Sequence, residues 1–549
     1  ITATTAVDES KTTNATVTTG DGADAITIDA GVVNVDAGAG DDTITVSTWG
    51  AVTTADTIQL GTGDDTVVTS EATLGTAQAA TMAVFVGSEV IQTSATAEKS
   101  VNTATLGTVT SAVASGTHSA TAAVTGNDGS GAASTAGIAA MIFTSANAGG
   151  TLTVGALTGQ VGSANTGVLA ADVGGTGGHG LDINASLDTG NNTVTVTLVD
   201  NADITGGVGG AAANDANNVT VGGAGGIAFD ANEYETVNLV IAAKDTTKDV
   251  VTFQGGIGGV GDSGGASDGG AAGSDFIVGA NATINITETI AAKSGATALT
   301  VKDHISSIDL GAITGTNVVV NAGTLNGAVT IDSVQGNSTI TTGAGADTIS
   351  AGTGVDTIST GGGDDTIDAQ AGADIVTGGD GNDSYVINDG DSAEATYMTI
   401  KGFVAAEASW TGSGANDAVS EYQSTGVGGA NADILDIAGT IAVDANVAAG
   451  TASANSTANV TYGLTNGIIT LAGSAAATID TIGEWIDEVE DITTGTDEVS
   501  AFEFAGSTYV FSNQATDQVI MLEGLTGVTG LDTLANSGTI GGEDYIIIL

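Results

Sequence analysis

A nine-residue repeat in the middle of the chain limits the possible fold more than any other feature of the sequence. Five repeats follow one another without a gap over residues 342–386, from TGAGADTIS to GGDGNDSYV. The sixth position is always aspartate, and an aliphatic or aromatic residue stands two positions later. The glycines suit a tight turn, and the last three positions suit a short strand that points one apolar residue inward. Two repeats then complete one coil of the chain, so that equivalent residues of every second repeat are stacked.

The same pattern recurs more loosely in other parts of the chain. Near the start, Asp24, Asp42 and Asp65 each precede a short apolar stretch, and Asp42 follows Asp24 at a distance of two repeats. The segment from Asp42 to Asp65 is longer than two repeats and therefore requires an insertion. Fainter copies lie at residues 188–194 and 273–277, where ordinary turn residues explain the pattern equally well.

The charge balance excludes several classes of function. The chain of 549 residues has 64 acidic and 7 basic residues, and its formal net charge is −57. Binding to nucleic acid, or to an anionic membrane surface, needs clustered lysine or arginine, which this chain lacks. Disulfide scaffolds and thiolate metal sites are excluded because there is no cysteine. No apolar run reaches the roughly 18 residues of a membrane helix.

Alternating Thr, Val, Ile and Ala residues, as in 193–198 and 236–241, are typical of β-strands. We therefore predict an all-β protein, a parallel β-solenoid with a C-terminal capping region. The expected parts are an N-terminal β-solenoid with looser repeats (1–100), a Gly/Thr/Ala-rich β-solenoid with loop insertions (101–323), the regular repeats (324–391) and the C-terminal cap (392–549). The glycine-rich stretch 255–273 is predicted to form loops. In the C-terminal part we predict an amphipathic helix from Ile479 to Ile492 and a hairpin over 502–511.

Stacked aspartates predict a metal site. Strands of neighbouring coils lie about 4.8 Å apart. At that distance two carboxylates repel by roughly 3–4 kcal/mol, for an effective dielectric constant near 20. A divalent cation between successive turns converts this repulsion into coordination by carboxylate and backbone carbonyl oxygens. Oxygen ligands in a flexible turn favour Ca²⁺ over Mg²⁺, and the lack of cysteine, with only three histidines, disfavours zinc and copper.

The repeats resemble the RTX motif, a glycine- and aspartate-rich nonapeptide that forms a parallel β-roll and binds several Ca²⁺ ions. The resemblance is strongest over 342–386 and weaker over 20–68, and Gln370 departs from it at the second glycine position. It implies that the repeat aspartates and the turn glycines form the metal sites, and that residues 392–549 contain an uncleaved signal for type I secretion. The implied metal-site residues are Asp24, Asp42, Asp65, Asp347, Asp356, Asp365, Asp374, Asp383, Gly343, Gly345, Gly352, Gly354, Gly361, Gly363, Gly372, Gly379 and Gly381.

The Thr/Ala/Gly-rich body, with YETVNL at 234–239, is further similar to RTX surface-layer (S-layer) proteins. This resemblance implies a secreted, calcium-dependent structural protein of the bacterial cell surface that assembles with copies of itself into a layer or filament. Cell-surface polysaccharide or lipopolysaccharide is a further candidate partner, and neither nucleic-acid binding nor membrane insertion is expected. Contacts between copies are expected at inserted loops such as 100–180 and 255–275. An RTX adhesin that binds surfaces or carbohydrate is the alternative.

A secreted hydrolase is the less favoured alternative. Residues 261–265 match the G-x-S-x-G motif of serine hydrolases, with Ser263 as the nucleophile. Such a match arises readily by chance in a chain rich in glycine and serine, and a triad also needs a histidine base and an orienting acid. His118 and His179 lie in Ser/Thr/Gly-rich stretches, and the H-E-x-x-H motif of metalloproteases does not occur. We therefore expect no enzymatic activity.

Overall fold

The computed structural model consists mostly of β-strands and divides into two compact units, residues 1–315 and residues 316–549. None of the helices among the described residues is long and apolar enough to cross a membrane. The structure describes residues 5–7, 15–28, 33–62, 65–71, 73–74, 76–86, 88–93, 99–102, 111–114, 118–119, 141–145, 150–154, 157–160, 176–185, 192–199, 202–211, 222–243, 250–259, 270–290, 307–406, 432–437, 442–443, 447–452, 460–472, 479–535 and 544–549.

In the first unit, the chain passes through parallel sheets in a fixed order and returns to each sheet one coil later. The longest sheet contains Thr5–Val7, Ala25–Ile28, Thr43–Val46, Asp65–Thr69, Ser88–Thr93, Ser111–Ala114, Gly150–Val154, Thr193–Val199, Thr236–Ala243 and Thr283–Ile290. A second contains Thr73–Leu74, Lys99–Asn102, Met141–Ser145, Leu181–Ala185, Phe229–Ala231, Phe276–Val278 and Ala312–Thr316. Shorter strands form further faces: Ala15–Thr18, Val33–Asp36, Thr57–Gln59 and Phe85–Val86, then His118–Ser119, Leu157–Thr158, Ile204–Thr205, Val250–Gln254 and Ser307–Asp309. The described part of this unit also contains a short helix, Thr76–Met82, and a 3-10 turn, Trp49–Ala51.

The length of the coil changes along the first unit. Ile26 pairs with Ile44 in a coil of two repeats, whereas Val196 pairs with Leu239 in a coil more than twice as long. The wider coils enclose a larger core that aromatic side chains fill. Phe229 and Phe276 stack with their ring centres 4.4 Å apart, and Phe253 contacts both rings edge-on. Alternation of buried and half-buried residues, as in Thr193–Val199, follows because each strand has one face on this core.

Glycine-rich segments of the first unit pack against each other. Of the loop that the sequence predicts for 255–273, the described residues 255–259 and 270–273 form no regular helix or strand but are joined by backbone hydrogen bonds, and 260–269 lie outside the described residues. The described segments are 206–210, 222–226, 255–259 and 270–273, and we call them the glycine stack. Their backbones are joined by hydrogen bonds such as Gly256 N–H to the Gly226 carbonyl, 2.7 Å, and Gly273 N–H to the Gly256 carbonyl, 2.8 Å. A Cβ atom added at Gly256 would lie 1.9 Å from the Gly207 oxygen, so only glycine allows this approach. Backbone hydrogen bonding thus replaces side-chain packing.

The second unit contains the regular repeats, whose strands form two parallel ladders. Within the repeats, each strand pairs with the strand two repeats further along the chain. One ladder joins Val319–Asn321, Thr339–Thr341, Thr357–Gly362, Ile375–Asp380, Met398–Lys401 and Gln518–Glu523. The other joins Val329–Ile331, Thr348–Ser350, Thr366–Asp368, Ser384–Ile387 and Ile434–Ile437. Ser333–Gln335 belongs to neither ladder and is a strand of a different sheet. The apolar residue of each repeat, such as Ile349 or Ile358, is buried. The stacking of every second repeat that the sequence predicts is therefore confirmed.

The C-terminal part of this unit adds antiparallel strands and a helix. Strands Glu498–Phe504 and Ser507–Asn513 form the predicted hairpin, and Asp544–Ile548 pairs with both Leu531–Ala535 and Ile434–Ile437. Further strands are Ala442–Val443, Val447–Ala452, Val460–Thr465 and Ile468–Ala472, with a 3-10 turn at Glu394–Thr396. The helix is Ile482–Ile492, shorter than predicted because Thr481 caps its N-terminus reciprocally with Glu484. Its apolar face packs on Phe502 and Phe511.

Candidate metal centre

The aspartate of each regular repeat stands directly before a strand and is buried. Asp356 and Asp383 are 0% exposed, and the other three repeat aspartates are 1% exposed. Tight glycine turns bring them to these positions. Gly361 and Gly363 have φ angles of 93° and 125°, and a Cβ atom at Gly363 would lie 2.1 Å from the Gly345 oxygen of the previous coil. Turn glycines therefore allow successive turns to stack closely.

Stacked aspartates are linked by a repeated hydrogen bond, and we call each series of linked residues a carboxylate ladder. Asp347 N–H donates to Asp365 Oδ1 at 2.8 Å, and Asp365 N–H donates to Asp383 Oδ1 at 3.1 Å. On the opposite edge, Asp356 N–H donates to Asp374 Oδ1 at 2.7 Å. One carboxylate oxygen of each pair is thus fixed by the backbone of the preceding coil.

The looser repeats near the start of the chain form the same contact. Asp24 N–H donates to Asp42 Oδ1, and Asp42 N–H donates to Asp65 Oδ1, both at 2.9 Å. All three residues are buried, with Asp24 the most exposed at 7%. The longer spacing between Asp42 and Asp65 does not interrupt this ladder, because the extra residues lie outside the aligned strands Thr43–Val46 and Asp65–Thr69.

The second oxygen of several ladder aspartates is buried without a hydrogen-bond donor. Among the described residues, Oδ2 has no partner in Asp42, Asp356, Asp374 and Asp383. A buried polar atom without a partner costs about 1–3 kcal/mol, and more when it carries charge. The described ion pairs join Lys401 with Glu523 and His179 with Asp230, and neither involves Asp347, Asp356, Asp365, Asp374 or Asp383. Asp42, Asp356, Asp374 and Asp383 therefore present buried carboxylate oxygens that a bound cation or a proton would satisfy.

Burial also raises the pKa values of the ladder carboxyls. Loss of hydration raises the pKa of Asp374 and Asp383 from 3.8 to about 7, and neighbouring carboxylates such as Asp365 add to the effect on Asp383. Burial raises the pKa of Asp347 to about 6, and the hydrogen bond from Thr342 opposes this increase. Near neutral pH, protons and a metal ion therefore compete for the same oxygens.

The donor set fits a calcium ion. Carboxylate oxygens from successive coils stack beside turns that offer backbone carbonyls and side-chain oxygens such as those of Asp364 and Asp380, and Ca²⁺ prefers such oxygen donors. The predicted glycines occupy these turns. Positive φ angles occur at Gly352, Gly354, Gly361, Gly363, Gly379 and Gly381. A Cβ atom added at Gly343, Gly345 or Gly372 would lie only 1.6–2.3 Å from the nearest backbone atom of another turn. When bound, calcium would supply the positive charge that holds adjacent turns together.

Gln370 departs from the repeat without breaking the turn. It stands two repeats after Gly352, and its φ angle of 59° is in the same left-handed region. Its backbone N–H donates to Asp368 Oδ1 at 3.0 Å, and its side-chain Nε2 donates to Ser350 Oγ at 2.7 Å. These hydrogen bonds hold a glycine-like conformation in a residue with a side chain.

Asp433 extends the ladder but was not among the predicted site residues. Its Oδ1 accepts Asp383 N–H at 3.0 Å and its Oδ2 accepts Val404 N–H at 2.8 Å. Burial raises its pKa to about 8. The sequence contains a signal for it, since Asp433 precedes the strand Ile434–Ile437 as each repeat aspartate precedes its strand. The long segment between Asp383 and Asp433 hides this relation from a search for nine-residue spacing.

Comparison with known protein families gives one match. The model of the RTX calcium-binding nonapeptide repeat matches residues 330–358 and 350–385, in four copies. A comparison with curated proteins gives no match. Residues 330–385 thus carry RTX calcium-binding repeats, and these repeats bind several Ca²⁺ ions. The match covers the ladder from Asp347 to Asp383, whereas the ladder from Asp24 to Asp65 lies outside it.

Proposed function

We propose that this chain is a secreted structural protein that assembles with copies of itself into a cell-surface layer or an extracellular filament under the control of calcium. The observation that carries the proposal is the buried carboxylate ladder from Asp347 to Asp383. Stacking of its coils needs neutralisation of the carboxylates, so calcium binding and folding are coupled. Residues 324–391 would then form a calcium-filled β-roll.

The charge of the chain supports control of assembly by calcium. Copies with a formal net charge of −57 repel one another, and this repulsion opposes a dense layer or filament. Each bound Ca²⁺ ion removes two negative charges and also orders the surface that a neighbouring copy would contact. Calcium would therefore act on both folding and association. Association through contacts between different surfaces gives an open filament or lattice when the rotation between copies does not close a ring.

Secretion is supported by the RTX repeats and by the calcium sites. Extracellular calcium modules bind in the range of about 10⁻⁴–10⁻³ M, so such a chain would stay unfolded inside the cell and fold outside it. Residues 392–549 would contain the export signal. They would also cap the repeats, since Met398–Lys401 and Gln518–Glu523 continue the parallel sheet beyond the last repeat and an uncovered edge would invite uncontrolled pairing.

A surface adhesin remains the second candidate, and we propose no enzymatic role. Ser263, the nucleophile of the G-x-S-x-G match, lies outside the described residues. An adhesin would bind a carbohydrate or a surface as a monomer, whereas a structural protein would form ordered assemblies of the chain alone.

The experiment is electron microscopy of the purified full chain with and without calcium, with circular dichroism of the same samples. We expect ordered sheets or filaments with calcium only. Asp365→Asn should raise the calcium concentration needed for assembly, while Asp364→Asn, which changes the exposed neighbouring residue, should have a small effect. A folded, calcium-loaded chain that stays monomeric at high concentration would contradict the structural role and favour the adhesin.

A further inference from the structure

An opening in the first unit, far along the chain from the RTX repeats, is lined by oxygen-bearing groups. Its volume is about 370 Å³, and its lining includes Asn192, Glu233, Glu235 and Gly279. Glu235 belongs to the YETVNL sequence at 234–239, to which the RTX repeats assign no role. The opening lies where the turn before strand Thr236–Ala243 stacks on the turn before strand Thr283–Ile290.

Asn192 and Glu235 reproduce the contact of the carboxylate ladder with different residue types. Each stands directly before a strand, and Thr193 pairs with Thr236 in the next coil. Asn192 N–H donates to Glu235 Oε2 at 2.6 Å, as Asp347 N–H donates to Asp365 Oδ1. Glu235 thus occupies the position, relative to the sheet, that an RTX aspartate occupies in the regular repeats.

Asn192 provides an independent sign of a missing ligand. The residue is 1% exposed, and its Nδ2 donates to the Glu233 carbonyl at 3.1 Å. Its Oδ1 is buried and accepts no hydrogen bond from any described residue. A buried amide oxygen in this state needs a donor or a cation, and Asn192 is one of the residues that line the opening.

Gly279 keeps further oxygens uncovered. A Cβ atom at this position would lie 3.0 Å from the Asn232 carbonyl oxygen and 3.6 Å from the Tyr234 carbonyl oxygen. A side chain here would therefore press against the Asn232 carbonyl and lie in ordinary contact with that of Tyr234. The opening collects an amide oxygen, the carboxylates of Glu233 and Glu235, and backbone carbonyls.

We propose that this opening is a divalent-cation site, with Asn192 Oδ1 and the Glu235 carboxylate as its central ligands and Glu233 as a nearby second charge. The all-oxygen donor set favours a hard cation, and a roomy site with one amide and two carboxylates suits Ca²⁺ better than Mg²⁺, which requires compact octahedral geometry. The ion would join two neighbouring coils of the wide part of the first unit. This site does not depend on self-assembly.

The test uses hydrogen–deuterium exchange of the full chain during a titration with CaCl₂. Peptides that cover residues 231–235 and 279–282 should become protected as calcium binds. Glu235→Gln and Asn192→Ala should each shift the midpoint of this protection about tenfold to higher calcium, because each removes a ligand. Asn192→Asp should shift it to lower calcium, because it adds a charge at the ladder position. Glu523→Gln, which changes a half-exposed surface carboxylate, is the matched control and should leave the midpoint unchanged.

Asp365→Asn separates this site from the RTX repeats. It should change protection over 342–386 and leave the midpoint at residues 231–235 unchanged. Protection of 231–235 that is independent of calcium, or midpoints that neither Glu235→Gln nor Asn192→Asp shifts, would overturn the proposal. Circular dichroism of each variant shows whether its fold is retained, and the opposite directions expected for Asn192→Asp and Asn192→Ala distinguish ligand loss from general destabilisation.

Discussion

After removal of calcium, the RTX repeats should be more stable in mild acid than at alkaline pH. The raised pKa values of Asp374 and Asp383, about 7 against 3.8 in an unfolded chain, mean that the metal-free folded state holds protons that the unfolded state releases. A carboxyl with a raised pKa contributes stability at low pH, and this contribution is lost as the pH rises through the folded-state value. The window is therefore the range from about pH 5 to about pH 8.

The magnitude follows from these pKa values. Between about pH 8 and about pH 5, a carboxyl whose pKa is about 7 when folded gains about 2.6 kcal/mol of folded-state stability. Protonation of one carboxyl removes its repulsion of the neighbouring ones and so lowers their pKa values, which reduces the effect to about 1 kcal/mol for each of Asp374 and Asp383. Asp347, with a pKa of about 6, and Asp433, with a pKa of about 8, act in the same direction. Together the four groups should change the stability of the repeats by about 4 kcal/mol.

The assay is hydrogen–deuterium exchange over residues 342–386 in calcium-stripped protein, corrected for the intrinsic effect of pH on exchange. Protection should increase from about pH 8 to about pH 5 without calcium. With saturating calcium it should decrease over the same range, because protons compete with the ion for the carboxylates. If calcium-stripped protein loses protection on acidification, ionisation of the buried ladder carboxyls does not destabilise the metal-free fold.

Other substitutions test separate parts of the structure. Asp365→Asn should lower the calcium affinity of the repeats about tenfold, whereas Asp364→Asn, at an exposed site, should change it much less; equal effects in calorimetric titration would argue against the ladder as the metal site. Gly256→Ala should destabilise the first unit by at least about 2 kcal/mol, because its Cβ would lie 1.9 Å from a backbone oxygen, while Gly50→Ala meets no atom within 4 Å and serves as the control in thermal unfolding. Thr481→Ala should cost about 1 kcal/mol through loss of the helix cap, and an unchanged urea midpoint of the second unit would contradict that role.

The regular repeats can be predicted from the sequence because each one contains the same glycine turn, aspartate and short strand. The position of Asp347 predicts that of Asp365, and both predict a buried carboxylate before a strand. Gln370 shows the tolerance of this rule, since hydrogen bonds from its backbone and side chain maintain the left-handed turn. A site residue at irregular spacing, such as Asp433, needs the fold before its place in the ladder becomes visible.

The glycine stack and the opening at Glu235 were not accessible in the same way. The glycines at 255–259 read as a loop because the sequence contains neither alternation nor apolar anchors there, and their hydrogen-bond partners lie in separate glycine-rich segments. Asn192 and Glu235 lie in different coils, and no short motif joins them. Their relation depends on the register between two coils of different composition.

The amino-acid sequence alone predicts the calcium-binding repeats. Nine-residue spacing, glycine turns and aspartates before each strand are sufficient, because turn geometry and charge repulsion act within one or two coils. The tertiary structure decided where coils of unequal length align. That alignment places Asp433 in hydrogen-bond contact with Asp383 and Asn192 in hydrogen-bond contact with Glu235. It also brings the segments of the glycine stack together. Register between distant strands is fixed by the packing of the core along the whole unit, and local sequence does not encode it.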